Sequence, residues 1–223
     1  MDTYKITNLK QGVKNPNRVN VFLNEKYEFS LDVSQIVDYK LKVGLEITLE
    51  KLNELKSASE FGKLYQRTLE WVLLRPRSVK EVKDYLYRKL RASSSGSSSR
   101  DSSQGSCSIR RRSSEDMSKF SDEIILRLIS KGYIDDEKFA EYYVENRFVK
   151  KGISKKRLGM ELVEKGISRE TIERVLEKRS DEEEIRKIIA KKRAKYDDDK
   201  LINYLVRQGF SYQLAQNLVH ETD

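Results

Sequence analysis

Few residues of this chain have the types and the spacing that catalysis requires. The sequence contains one histidine, His220, and one cysteine, Cys107. A nucleophile needs a base within hydrogen-bond reach and a third group that orients the base, and no such set can be assembled from these residues. A Gly-rich phosphate loop of the Walker or Rossmann type is also missing from the sequence. We therefore predict that the protein is not an enzyme.

Two acidic runs are the remaining candidates for a metal site. They are Asp135-Asp136 and Asp197-Asp198-Asp199. Each run precedes a predicted helix, where carboxylates interact favourably with the positive end of the helix dipole. We expect them to start helices, and we expect neither metal nor cofactor. A lone cysteine in a Ser-rich stretch indicates a reducing compartment, and no apolar run reaches the roughly 20 residues that span a bilayer. The expected location is the cytoplasm.

Basic side chains are the more informative feature. The net charge is +9. Residues 1–57 carry 9 Lys/Arg against 8 Asp/Glu, so nearly all of the excess positive charge lies in residues 58–223. Three groups recur near equivalent helix junctions, which predicts a shared basic surface for DNA phosphates or for an acidic protein groove. Phosphate contacts of this kind position a protein without reading base sequence. The predicted surface consists of Arg75, Arg77, Lys80, Lys83 and Arg88; Arg147, Lys150, Lys151, Lys155, Lys156 and Arg157; and Arg186, Lys187, Lys191 and Arg193.

The elements that must position these groups begin with a β-rich module. Alternating apolar residues predict strands near 4–13, 18–23 and 27–31. A short helix over 34–39, with Ile36 and Val37 facing inward, and a short strand within 41–48 complete the module, which we assign to residues 1–57.

The rest of the chain has helical periodicity and an internal repeat. A capping residue is followed by apolar residues at the fourth and eighth positions three times, starting at Ser78, Ser154 and Asp197. Ser78 and Glu81 also form a capping-box pattern. Helix ends repeat as well, because Gly132, Gly166 and Gly209 each precede an apolar residue, as at a C-cap. Such coincidences predict helical units that stack around a shared core.

We predict a mainly α fold of tandem three-helix, helix-turn-helix-like repeats after the β-rich module, in a monomer. The predicted repeats are 58–132, 133–179 and 180–223, and a Ser-rich, disordered insertion over 92–116 interrupts the first. The predicted helices are 59–74, 79–91 and 117–131; 135–150, 155–165 and 169–178; and 181–195, 198–208 and 212–221.

One stretch also resembles a known family. Gly132-Tyr-Ile-Asp-Asp136, followed by Phe139-Ala140 and Tyr143, resembles a motif of RecX, the regulatory protein of the RecA recombinase. Supporting resemblance lies in Gly152-Ile-Ser, in Glu161 to Ile167, in Arg75 to Glu81 and in Leu205 to Ser211. The Ser-rich insertion departs from the family pattern. The motif residues implied to be mainly architectural are Gly132, Tyr133, Asp135, Asp136, Phe139, Ala140, Tyr143, Gly152, Gly166 and Gly209.

The resemblance implies a regulator that acts in RecA-dependent recombination, DNA repair and the SOS response. It would bind RecA and lie in the groove of the RecA–DNA filament, restraining ATP hydrolysis and strand exchange, with no catalysis of its own. The alternative is a direct DNA-binding protein that uses its helix-turn-helix-like units without RecA. Against this alternative, no single predicted helix carries the Arg, Asn and Gln cluster expected for reading base edges.

Overall fold

A computed structural model describes residues 3–13, 15–94, 114–147 and 152–221 of the chain. Within these residues the chain forms two compact units. The first comprises residues up to Trp71 together with Lys83–Leu128, and the second comprises Val72–Val82 together with the residues from Ile129 onward. No helix in the described ranges is long and apolar enough to cross a membrane.

The first unit starts with a four-stranded antiparallel sheet. Its strands are β1 (Thr3–Gln11), β2 (Arg18–Leu23), β3 (Lys26–Asp32) and β4 (Glu46–Thr48), in the spatial order β3-β2-β1-β4. Asn24 and Glu25 both have positive φ, as a two-residue turn matched to the strand twist requires. The predicted strands are therefore confirmed to within about two residues.

Helix α1 (Val33–Asp38) follows β3, and a long helix, α2 (Leu49–Leu73), follows β4. The predicted start of α2 at residue 59 is wrong, because the helix begins ten residues earlier. Its first turns bury Leu52 and Leu55 against Ile6, Val21 and Leu31 of the sheet, so the α2 N-terminus completes the core of the β-rich module. The expectation for Val37 is also wrong, since this side chain is 69% exposed.

Two further helices, α3 (Val79–Ser94) and α4 (Ser114–Ser130), occupy the places predicted for the rest of the first triplet. Within the first unit, Trp71 of α2 stacks on Tyr85 of α3 with ring centroids 4.4 Å apart, and Phe61 of α2 packs edge-on against Phe120 of α4. Both helices extend into the ends of the predicted loop 92–116. The rest of that prediction lies outside the described residues.

The second unit contains the other two predicted triplets. The second consists of α5 (Asp136–Arg147), α6 (Lys155–Glu164) and α7 (Arg169–Glu177), and the third of α8 (Asp181–Lys192), α9 (Asp198–Arg207) and α10 (Tyr212–His220). Each triplet encloses its own core, around Phe139, Leu158 and Leu162 in one and around Ile185, Leu201 and Leu205 in the other. The predicted fold of tandem three-helix repeats after a β-rich module is confirmed. The domain boundaries at residues 57, 132 and 179 remain predictions.

Candidate functional site

The first basic group surrounds a carboxylate. Glu81, in the first turn of α3, lies 3.1 Å from Nη2 of Arg75 and 2.9 Å from Nζ of Lys165 at the end of α6. Nη1 of Arg77 lies 3.8 Å from the same carboxylate, and burial lowers the pKa of the Arg77 guanidinium. The carboxylate of Glu81 therefore holds Arg75, Arg77 and Lys165 in a local ion cluster, and only part of their positive charge is presented outward.

A joint within the second unit connects the start of α3 to α5 and to the end of α6. Ser78 caps α3 by accepting a hydrogen bond from the N–H of Glu81, and its hydroxyl donates to the carbonyl of Lys165 over 2.8 Å. The carboxylate of Asp136, at the start of α5, accepts from the N–H of Val79 over 2.8 Å. Two elements distant in sequence thereby satisfy the free polar groups at the start of α3 and the end of α6.

The same joint recurs one triplet further along. Ser154 caps α6, and its own N–H donates to the carbonyl of Gln208 at the end of α9 over 3.3 Å. Asp181, at the start of α8, accepts from the N–H of Lys155 over 2.8 Å, as Asp136 does from Val79. An acidic residue that begins one triplet therefore caps the middle helix of the preceding triplet in both places.

Two predicted basic side chains bridge these joints. Nζ of Lys80 donates to the carbonyl of Glu164 over 2.8 Å, and Nη1 of Arg157 donates to the carbonyl of Arg207 over 3.1 Å. Both carbonyls lie in the last turn of a helix, where cations interact favourably with the dipole. Lys80 and Arg157 thus stabilise the succession of triplets as well as adding positive charge.

A second ion cluster lies between α5 and α6. Glu161 accepts hydrogen bonds from Nε and Nη2 of Arg147, at 2.9 and 3.1 Å, and from the hydroxyl of Tyr143 at 2.8 Å. The hydrogen bond from Arg147 is the main reason that the pKa of Glu161 is lowered, and it raises the pKa of Arg147. Burial, reinforced by Glu161, raises the pKa of Tyr143. Arg147 is thus fixed as part of the packing between α5 and α6.

This cluster makes stability depend on pH in a defined direction. Because the folded-state pKa of Glu161 lies below its ordinary value of 4.5, its contribution is present above that value and is lost as the pH falls through the lowered pKa. We expect Glu161→Gln to cost about 1–3 kcal/mol of unfolding free energy at pH 7, and less at acidic pH. Urea denaturation at several pH values measures both effects. Glu170→Gln is the control, since the Glu170 side chain is 85% exposed; equal costs in the two variants would contradict the assignment.

The third basic group lies on α8. Arg186 pairs with Glu221 over 2.9 Å, and Lys187 pairs with the buried Glu184 over 2.9 Å while remaining 62% exposed. Arg193 pairs with Asp198 over 3.4 Å and donates to the carbonyl of Val219. The first turn of α8 is acidic, so the positive charge of this helix lies in its later part and includes Lys191 and Lys192 of the last turn.

The predicted basic residues therefore differ in how much of their charge is available. Among the described residues, Lys156 and Lys191 are exposed, and neither has a carboxylate within 4.0 Å. Lys83 is 58% exposed beside Asp122, and Arg88 is exposed and bonded to the carbonyl of Asp84. Lys150 and Lys151 lie outside the described residues. Whether these side chains form one binding surface remains a prediction.

The start of α6 carries three consecutive basic residues. Lys155, Lys156 and Arg157 occupy its first turn, which has no acidic residue. Positive side chains are unfavourable at the positive end of a helix dipole, and Asp181 offsets only part of this by capping Lys155. The combination of helix dipole and lysines favours an anionic partner at this end of α6.

Most residues of the resemblance motif lie in the core or the joints. Phe139 and Ala140 are fully buried, and Asp135 caps α5 by accepting from the N–H of Glu137 and Lys138. Gly132, Gly152, Gly166 and Gly209 all have positive φ. Gly132 and Tyr133 are exceptions, since both residues are exposed, Tyr133 to 41%. The carboxylates at the centres of the two ion clusters, Glu81 and Glu161, were not among the predicted site residues. Their spacing along the helices gives no sign of their distant basic neighbours.

Comparison with known proteins agrees with this arrangement. The family profile described as the regulatory protein RecX N-terminal domain matches residues 4–48, and that of the RecX second three-helix domain matches residues 135–176. Regulatory protein RecX of Listeria monocytogenes is 31% identical over 95% of this chain and 73% of its own length. That of Bacillus licheniformis is 28% identical over 98% of this chain and 77% of its own length.

Solved structures share the fold. A crystal structure of regulatory protein RecX matches with a TM-score of 0.67 at 20% identity, covering 96% of this chain and 98% of the other. RecX from Lactobacillus salivarius matches with a TM-score of 0.50 at 23% identity, over 74% of this chain and 97% of the other.

The tandem three-helix units and their capped joints define a helical-repeat protein. The chain belongs to the RecX family of regulatory proteins, because the Listeria relative is 31% identical to it over 95% of this chain.

Proposed function

We propose that this protein regulates the RecA recombinase by binding the RecA–DNA filament, lying in the filament groove and restraining ATP hydrolysis and strand exchange. The observation that carries the proposal is membership of the RecX family across 95% of the chain. In this proposal the protein acts as a monomer in the cytoplasm, without catalysis of its own.

The basic helices support a filament as the partner. Exposed Lys156 and Lys191 lie on α6 and α8, the helices whose starts are linked by the bond from Lys155 to Asp181. Basic groups repeated along a helical array suit a partner whose negative charge also repeats, such as the phosphates of filament-bound DNA. The joints support a defined spacing between these groups, because the same caps recur at each.

The test is the single-stranded-DNA-dependent ATPase rate of RecA, titrated with this protein at fixed salt. Direct DNA binding is measured in parallel under the same conditions. We expect the rate to fall at protein concentrations at least tenfold below those needed to bind the DNA alone. An unchanged rate, together with tight and steeply salt-dependent DNA binding, would instead favour direct DNA binding without RecA.

A further inference from the structure

A groove of about 890 Å³ lies in the first unit, between the start of α1, the middle of α2 and α4. Its volume falls in the range of cavities that bind ligands. None of the basic side chains of the predicted surface lines it. The groove is therefore a second place on the molecule where a partner could bind, independent of the helices on which the proposed function rests.

The charge of the groove is opposite to that of the chain. Four carboxylates line it, from Asp32, Asp38, Glu54 and Glu123, against the single guanidinium of Arg127. Asp32 is paired with Arg18, and Glu54 is paired with Lys51. Asp38 and Glu123 are exposed. With two carboxylates paired and Arg127 present, the lining keeps a small excess of negative charge in a protein of net charge +9, which favours cations over nucleic acid as ligands.

Aromatic rings also line the groove. Tyr39, Phe61, Tyr65 and Phe120 all line the groove. Aromatic faces bind ammonium and guanidinium groups through the ring quadrupole, more strongly where water is partly excluded. Rings and carboxylates in one groove are therefore a combination that recognises arginine and lysine side chains.

The chain already places cations of its own on these rings. The guanidinium of Arg127 lies 5.2 Å from the ring centroid of Tyr65 and 5.9 Å from that of Phe61. Nζ of Lys51 lies 4.6 Å from the ring centroid of Tyr39. Both kinds of basic group therefore already lie against these rings at distances suited to cation–π attraction. Arg127 would compete with an incoming arginine for the same faces.

We propose that this acidic aromatic groove binds an arginine- or lysine-bearing segment of a partner protein. The partner's basic side chains lie over Tyr39 and Tyr65 and are paired with Asp38 and Glu123. A polyanion is a poor ligand here, since every unpaired carboxylate of the groove would repel it. Binding at the groove adds a protein contact that the basic helices do not make.

The probe for the test is a fluorescein-labelled ten-residue peptide in which three arginines alternate with Gly and Ser. Its control is the same peptide with citrulline at the three positions, which keeps the shape of the side chain and removes its charge. Fluorescence anisotropy at about 0.15 M salt, where the Debye length is about 8 Å, measures the affinity of the full chain for both peptides. We expect the arginine peptide to bind at least tenfold more tightly than the citrulline peptide.

Two protein variants separate groove binding from general attraction to acidic residues. Asp38→Lys with Glu123→Lys reverses the exposed groove carboxylates and is expected to weaken peptide binding at least tenfold. Glu173→Lys with Glu177→Lys makes the same charge change on α7, in the second unit, and is expected to change binding less than twofold. Equal losses in the two double variants would overturn the proposal.

A third variant is expected to increase the affinity for the peptide, a result that misfolding would not produce. Arg127→Gln removes the chain's own guanidinium from Phe61 and Tyr65 and removes a positive charge from the groove. We expect the arginine peptide to bind at least threefold more tightly to this variant. Weaker binding, or equal binding of the citrulline peptide to the wild-type protein, would show that the groove does not recognise cations. Either result would leave the RecA proposal untouched, because that proposal is tested by the ATPase titration.

Discussion

Reversing the charge of Lys156 and Lys191 is expected to raise the concentration that half-inhibits the RecA ATPase by at least tenfold. Both side chains are exposed, and neither is paired with a carboxylate among the described residues. If each lysine neutralises one phosphate of filament-bound DNA, the double variant should also lower the slope of the logarithm of the binding constant against the logarithm of the salt concentration by roughly two. Titrations of Lys156→Glu with Lys191→Glu at several salt concentrations measure both quantities.

This double variant is designed to stay folded. Lys156 lies in the first turn of α6, where a glutamate is favourable to the helix dipole, and Lys191 lies in the last turn of α8, where it is unfavourable. Each effect is about 0.3–1 kcal/mol, with opposite signs, so they nearly cancel. A loss of inhibition with an unchanged unfolding midpoint therefore reports on the surface.

Lys26→Glu with Lys42→Glu provides the matched control. These lysines are exposed in the β-rich module, and their reversal changes the net charge of the protein by the same amount. We expect less than a twofold change in inhibition. If the control lost inhibition as strongly as the α6 and α8 variant, the interaction would depend on overall charge, and the predicted surface would be wrong.

Local patterns along the chain predicted most of the fold. Ser154 and Asp197 accept the capping hydrogen bonds expected of them, and Gly166 and Gly209 end helices with positive φ, as their positions indicated. Such features depend on residues within one turn of each other, so sequence spacing is enough to recognise them. The start of α2 was missed because the helix begins before the predicted end of the module, and its Leu55 completes a core built by strands far earlier in the chain.

The chemistry of the candidate site was less predictable. Ser78 and Glu81 were expected to form a closed local capping box, and Ser78 does cap the N–H of Glu81. The carboxylate of Glu81, however, is engaged by Lys165, 84 residues away. Spacing along one helix gives no information about which other helix end lies beside it. For the same reason the acidic aromatic groove was not predicted, since its walls come from three separate parts of the first unit.

A glycine at the repeated joint should be among the least replaceable residues of the chain. Gly166 has a φ of +83°, and a Cβ added there would lie 2.8 Å from the Cβ of Lys80. Alanine would suffer both the left-handed strain of about 1–2 kcal/mol and an overpacking cost of about 1–3 kcal/mol. Lys80 cannot relieve this by rotating, because its Cβ moves only with the backbone of α3.

Gly132 separates these two costs. Its φ is +73°, but a Cβ there would have no atom within 4 Å. Gly132→Ala should therefore be destabilised only by the left-handed backbone strain. Gly166→Ala should be destabilised by the same strain and should also disrupt the bonds of Lys80 to Glu164 and of Ser78 to Lys165. Denaturant unfolding of both variants measures the difference, which we expect to be about 1–3 kcal/mol.

The comparison tests the joint as well as the glycine. If Gly166→Ala also raises the half-inhibitory concentration in the ATPase assay while Gly132→Ala does not, the spacing that the joint sets between the first two basic groups is required for binding. Equal stability of the two variants would mean that α3 and α6 separate at little cost. The cap of Val79 by Asp136 would then contribute little to the array, although it has the same 2.8 Å geometry as its counterpart at Lys155.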